Sequence, residues 1–144
     1  WLSRHALEIF NDEYFSLQKR LDLDNLNIEF LHDNNMMYAG KLTITHGHKI
    51  VMGAFSNPVN PARGLYLRTK SSHLTGHFHQ ISEHTETNIH GEIATCFTTG
   101  CLCELRPDYA PFNTKTAHGF AMVKVHKNNL FTVNNLRIYK GKIL

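Results

Sequence analysis

The sequence predicts an α/β domain made mostly of strands, with one or two helices at its amino end, and three observations carry that prediction. Between Leu2 and Leu21 the apolar residues Leu2, Ala6, Ile9, Phe10, Phe15, Leu17 and Leu21 recur at three- and four-residue steps, the period of an amphipathic helix. From Met36 onward, short runs rich in Thr, Ile, Val and Phe alternate with Gly, Asn and Pro clusters, which is how strands and turns are punctuated. A basic and apolar segment opening at Pro61 interrupts those runs with a helical start. With 42% apolar residues, a chain of 144 can bury about two-thirds of its unfolded surface, so residues 1–144 are expected to form one domain without disulfide support.

The elements follow in order. Asp22, Asp24, Asn25 and Asn27 break the helical period, and Ile28 to Leu31 reads as a short strand. Asp33-Asn34-Asn35 makes a turn into a longer strand, Met36 to Thr45, expected to pair with the short one. His46-Gly47-His48 and Gly53 to Pro61 have loop composition, and Ala62 to Lys70 reads as a short helix entered through Pro61. A brief strand, His73 to Thr75, runs into Gly76-His77-Phe78-His79. Ile81 to Asn88 and Glu92 to Thr99 form a hairpin around His90-Gly91. Pro107 to His118 is a long loop, and Phe120 to His126 and Leu130 to Tyr139 are the last strands, joined by Lys127-Asn128-Asn129.

Composition excludes several classes. No apolar run approaches the roughly 20 residues that span a bilayer, so no membrane role is expected. The first twenty residues interleave Arg4, His5, Glu8, Asp12 and Glu13 with apolar ones and lack a signal-peptide core. Three cysteines, two of them one residue apart, fit a reducing compartment, hence the cytoplasm. The net charge of +3 falls well short of a polybasic tail, and Arg63, Arg68 and Lys70 around Tyr66 read as a solvated helix face rather than a nucleic-acid surface. A chain that opens on Trp1 is expected to be a piece of a longer polypeptide.

Histidine carries the chemistry. Seven of the eleven (His46, His48, His73, His77, His79, His84 and His90) fall between residues 46 and 90. In extended backbone, residues i and i+2 share a side, so His46 with His48 and His77 with His79 could each present two imidazoles to one centre. Chance alone yields about one such pair at this histidine content, so spacing by itself is a weak signal. Position strengthens it, because both pairs follow a strand and precede a loop, where α/β architectures put their ligands. The lone residues His5, His32, His118 and His126 read as surface or hydrogen-bonded histidines. Cys101 and Cys103 lack the two-residue gap and distant second pair of a structural zinc site, so with Cys96 they read as buried thiols near a strand end, near a metal centre if one exists.

Thr45-His46-Gly47-His48, Gly76-His77-Phe78-His79, and the run Thr99-Gly100-Cys101-Leu102-Cys103-Glu104-Leu105 with Pro107, Tyr109, Pro111 and His118-Gly119-Phe120-Ala121 appear in that order. Together, from about residue 36 to the end, they resemble the C-terminal half of a calcineurin-like metallophosphoesterase of the phage and bacterial branch. The resemblance implies half of a four-layer α-β-β-α sandwich and a hydrolase of phosphate mono- or diesters, its substrate a nucleotide or nucleic acid among other esters. It implies a centre of two divalent ions, manganese, iron, zinc or nickel, with His46, His77 and His79 as metal ligands and His48 behind them or on the substrate side. Two such ions can hold a hydroxide and polarise the phosphoryl oxygens.

The same family carries Asp-x-His, Gly-Asp-x-x-Asp and Gly-Asn-His motifs upstream, and none occurs in residues 1–144. The expectation is therefore a chain without its own catalytic residues, inactive alone, needing an N-terminal half or a partner chain. The competing expectation is a non-catalytic metal-binding or assembly module with a degenerate or four-histidine site.

Overall fold

Local backbone preferences already separate the described residues into turn-rich and strand-rich parts. The computed structural model describes residues 17–31, 35–50, 59–108, 111 and 115–144. Most of the expected helix over 2–21, the Asp33-Asn34 part of the first turn, residues 53–58 of the proline loop, and Tyr109 with 112–114 of the long loop lie outside them. Residues 1–35 and 36–144 form two compact units.

In the first unit the described helical residues are α1, Leu17–Arg20. A run of turns follows, in which the Leu23 amide donates to the Gln18 carbonyl and the Ile28 amide to the Leu23 carbonyl, at 3.1 and 2.9 Å. Gln18 Nε2 donates to Asp24 at 2.7 Å and Asn25 Nδ2 to Asp22 at 2.8 Å, so short polar side chains consolidate the turns. Residues 28–31 form no strand, which corrects the expectation for Ile28 to Leu31. The turn bonds reach Ile28 itself and leave too little chain for a ladder.

The second unit opens with a hairpin where one long strand was expected. β1, Met37–Ala39, and β2, Leu42–Thr45, pair antiparallel with Ala39 opposite Leu42. The two residues between them, Gly40 and Lys41, turn the chain, with Gly40 at φ +62°. A positive φ at the first of two loop residues matches the strand twist of a tight hairpin, and this is what splits Met36 to Thr45. α2, Pro61–Thr69, then crosses to β3, His73–Thr75, which lies parallel to β2. α2 starts as its sequence requires: Pro61 takes the first turn, where no amide bond is lost, and the Asn60 side chain accepts from the Arg63 amide at 3.0 Å. Lys70 closes it in the left-handed region, its amide donating to the Tyr66 carbonyl at 2.8 Å.

β4, Ser82–Thr87, and β5, Ile93–Thr98, form the expected hairpin, and β5 runs parallel to β3. The sheet order is β1-β2-β3-β5-β4. A second sheet has the order β6-β7-β8, from Gly119–Val125, Phe131–Tyr139 and Lys142–Ile143. β8, only two residues long, pairs antiparallel with the end of β7.

Alternation along the strands gives the five-stranded sheet two working faces. Leu42, Leu74 and Phe97 are buried on one face, against Ala121, Val123, Phe131 and Val133 of the second sheet. Cys96 is buried on the opposite face, against Ala62 and Leu65 of α2. The result in this unit is a mostly β member of the α/β class, with helix, sheet and sheet stacked in layers. Each fully buried leucine or phenylalanine contributes roughly 1.5–3 kcal/mol.

The helix-side face ends in a row of hydroxyls, since Thr45 is in register with Thr75, Thr75 with Thr98, and Thr98 with Ser82. Each has a partner. Thr45 Oγ1 shares a hydrogen bond with His73 Nε2 at 2.9 Å, and Thr75 donates to the His46 carbonyl. Thr98 donates to the Gln80 carbonyl and Ser82 to Asn60 Oδ1, both at 2.6 Å. This row fixes where the loops leave the sheet. Among the described residues no helix is long and apolar enough to cross a membrane.

Candidate metal centre

Three parallel strands, β2, β3 and β5, deliver their carboxyl ends side by side, and the segments that leave them carry the histidine and cysteine motifs. This is where ligands collect in open α/β sheets. The first exit is held from two sides: the His46 carbonyl accepts the Thr75 hydroxyl and also the His77 amide, the latter at 3.1 Å. Gly47 is buried at φ +102°, and a Cβ there would overlap the Thr75 hydroxyl. Only glycine lets the chain turn so closely over β3.

That clamp brings His46 and His77 together. His46 Nε2 and His77 Nδ1 are 3.0 Å apart, and the His48 ring centroid lies 5.1 Å from that of His46 and 6.2 Å from that of His77. As neutral rings, His46 and His77 share one proton. Two neighbouring imidazole nitrogens on one ion are about 3.0–3.4 Å apart for metal–nitrogen bonds of about 2.0–2.1 Å, so the spacing of the pair matches one ion, which would take the place of the shared proton. Desolvation lowers the His77 pKa, and the positive charges of His46, His48 and His79 lower it further. A neutral ring is the state that binds metal.

His79 turns elsewhere. The i, i+2 argument needs extended backbone, but residues 76–79 form a turn in which the His79 amide donates to the Gly76 carbonyl at 3.3 Å, with His79 at φ +53°. His79 Nδ1 lies 3.8 Å from Cys103 Sγ. The ligand atoms of His79, Cys101 and Cys103 lie within 4.8 Å of one another, a group able to hold a metal ion. Of the three histidines expected to bind metal, His46 and His77 are brought together and His79 joins two thiols instead. His48 takes the place beside the pair.

The thiols divide in the same way. Cys96 is buried under α2, where Sγ donates to the Ser71 carbonyl at 3.2 Å and burial pushes its pKa up to about 11. Cys101 is buried and Cys103 exposed, so the expectation of buried thiols holds for two of three. Their grouping with His79 depends on a tertiary contact, a parallel bridge between Cys101 and His118, that no local spacing reveals. His118, expected to be uninvolved, reaches the Cys103 carbonyl with Nε2 at 3.0 Å.

Three further described histidines are hydrogen-bonded within the fold, and His5 and His32 lie outside the described residues. His73 is 3% exposed, bonded to Thr45, and its pKa is lowered by desolvation. His84 meets Glu86 at 2.9 Å, and His126 meets Thr132 at 2.8 Å. An open groove lined by Lys41, Ser72, Glu92, Thr95 and Phe131 contains none of the clustered histidines or cysteines. Compared with family models, with curated proteins and with solved structures, the chain matches none.

Proposed function

We propose that this chain supplies the histidine-rich half of a divalent-metal centre that hydrolyses phosphate esters. The observation that carries the reading is the 3.0 Å contact between His46 and His77, flanked by His48, at the carboxyl ends of adjacent parallel strands. The ordered motifs quoted above supply the reaction class, and the helix, sheet and sheet layers are compatible with half of a four-layer α-β-β-α sandwich. Of the three histidines that the resemblance names, His46 and His77 would serve this centre from this chain, and its carboxylates and remaining ligands would come from an N-terminal half or a partner chain. When bound, the divalent ions of the centre would activate water and stabilise phosphoryl charge. The chain's own part is to hold the His46 and His77 imidazoles at a fixed spacing over a threonine row. The reading implies a phosphate-ester substrate, nucleotides and nucleic acids included, and a reducing, cytoplasmic setting.

The test is hydrolysis of an aryl phosphodiester, with and without manganese, by the chain alone and by the protein completed with its carboxylate-bearing half. The expected result is metal-dependent turnover only in the completed protein, abolished by His77→Ala while the circular-dichroism spectrum is kept. A completed protein without metal-dependent turnover removes the reading.

A second reading, a non-catalytic metal-binding or assembly module, is favoured by the histidine and thiol group, whose donors suit tight retention more than turnover. Turnover of the completed protein, measured beside its metal content, separates the two. Tightly held zinc in a protein with no turnover supports the module.

A further inference from the structure

We propose that His79, Cys101 and Cys103 form a site of their own for one thiophilic ion, zinc among the common divalent metals, with the fourth position open to solvent. The site stands whether or not the imidazole cluster belongs to a phosphoesterase.

The donor set is the first argument. Two thiolates and one imidazole are soft and borderline ligands, which select zinc or copper(I) over magnesium, calcium and manganese. The spacing is the second. Nitrogen and sulfur on a tetrahedral zinc are about 3.6 Å apart, and two sulfurs about 3.8 Å, for bonds of about 2.0–2.1 and 2.3 Å. His79 Nδ1 and Cys103 Sγ already stand at 3.8 Å, and the widest pair within 4.8 Å. A rotation of the exposed Cys103 side chain supplies the rest.

The third argument is how the ligands are held. All three are moored to one short segment, residues 117–119. The Ala117 amide donates to the His79 carbonyl at 3.0 Å, and the Cys101 amide donates to the Ala117 carbonyl at 3.0 Å. The Gly119 amide donates to the Cys101 carbonyl at 3.1 Å, and His118 Nε2 reaches the Cys103 carbonyl at 3.0 Å. Three ligands from two separate loops thus share one scaffold, as a pre-organised site requires. Cys101 Sγ has only long contacts, to the carbonyls of Cys103 and Ala117 at 3.9 and 3.8 Å, so an ion would not have to displace a strong hydrogen bond. Three protein ligands leave the fourth position of a tetrahedral ion to water or a further ligand.

Cobalt(II) reports thiolate ligation directly, through sulfur-to-metal charge-transfer absorption in the near ultraviolet. The reduced, metal-free chain is titrated with cobalt and then with zinc or manganese. The expected result is charge-transfer absorption saturating at one cobalt per chain, displaced by zinc and not by manganese. It falls by about half or more in Cys103→Ser, disappears in Cys101→Ser/Cys103→Ser, and persists in Cys96→Ala and in His46→Ala. Because Cys103 is exposed, Cys103→Ser tests the site without disturbing the core. Absence of charge transfer in the unsubstituted chain, or its persistence in the double variant, overturns the proposal. Its loss in His46→Ala would also overturn it, by showing one shared centre instead of a separate one.

Discussion

The imidazole cluster and the histidine and thiol group begin at the same strand end, β3, but differ in how they are built. His46 and His77 meet because β2 and β3 end in register and the Thr75 hydroxyl pulls the first loop over the second. His79, Cys101 and Cys103 meet because a segment from the other sheet, residues 117–119, gathers two loops. The first site is thus a product of one sheet's register, and the second depends on both sheets being docked. Their donors differ too, nitrogen alone against nitrogen with sulfur, so a strand only three residues long can serve two ligand chemistries.

The largest expected effect separates the two constructions. Gly47→Ala places a Cβ against the Thr75 hydroxyl at a φ of +102°, and should destabilise the fold by about 3 kcal/mol in denaturant titration. It should disrupt metal binding at the imidazole cluster and leave cobalt–thiolate absorption in place; equal loss at both sites would show that they are not independently built. Next in size, His118→Phe removes the donor to the Cys103 carbonyl. It should weaken zinc binding at the thiols by about 10–100-fold, measured by chelator competition, with the His46 and His77 pair untouched.

A smaller effect follows from pH. The pKa of buried His73 is lowered in the folded chain relative to its ordinary value of 6.5, so the unfolded chain takes up the proton first. The penalty is absent at neutral pH and sets in as pH falls through 6.5, with a slope of at most about 1.4 kcal/mol per pH unit from this one group. Urea midpoints between pH 7 and pH 5 check it, and Thr45→Val should steepen no part of that decline if burial alone is its cause. Smallest of all, Arg63→Gln on the exposed face of α2 should change stability by less than about 0.5 kcal/mol and alter neither site.

Much of the strand pattern was legible, and the reasons for success and failure are local. Runs rich in Thr, Ile and Phe mark β4 and β5, and Pro61 after Asn60 marks the start of α2, because these residues act through their own backbone. Gly40-Lys41 hid a hairpin inside one apparent strand, since a two-residue turn barely interrupts a β-rich composition. For the candidate site, the strand-end position of both histidine motifs was readable, but their grouping was not. The alternation argument needs 77–79 extended, and the left-handed backbone of His79 turns its ring away from His77 toward the thiols instead. The approach of Cys101 and Cys103 to His79 rests on a bridge to His118, seventeen residues further on, and no period in the sequence encodes such a contact.

The hydroxyl row at the end of the sheet has a consequence for how this chain can change. Thr75 and Thr98 fasten the departing loops near their roots, at the His46 and Gln80 carbonyls, by side chains that belong to the strands. Beyond those anchor points and Gly47, whose place over Thr75 admits no side chain, residues can be exchanged, lengthened or given new donors without shifting the strands beneath. A scaffold fastened in this way is suited to acquiring new metal preferences by loop variation alone.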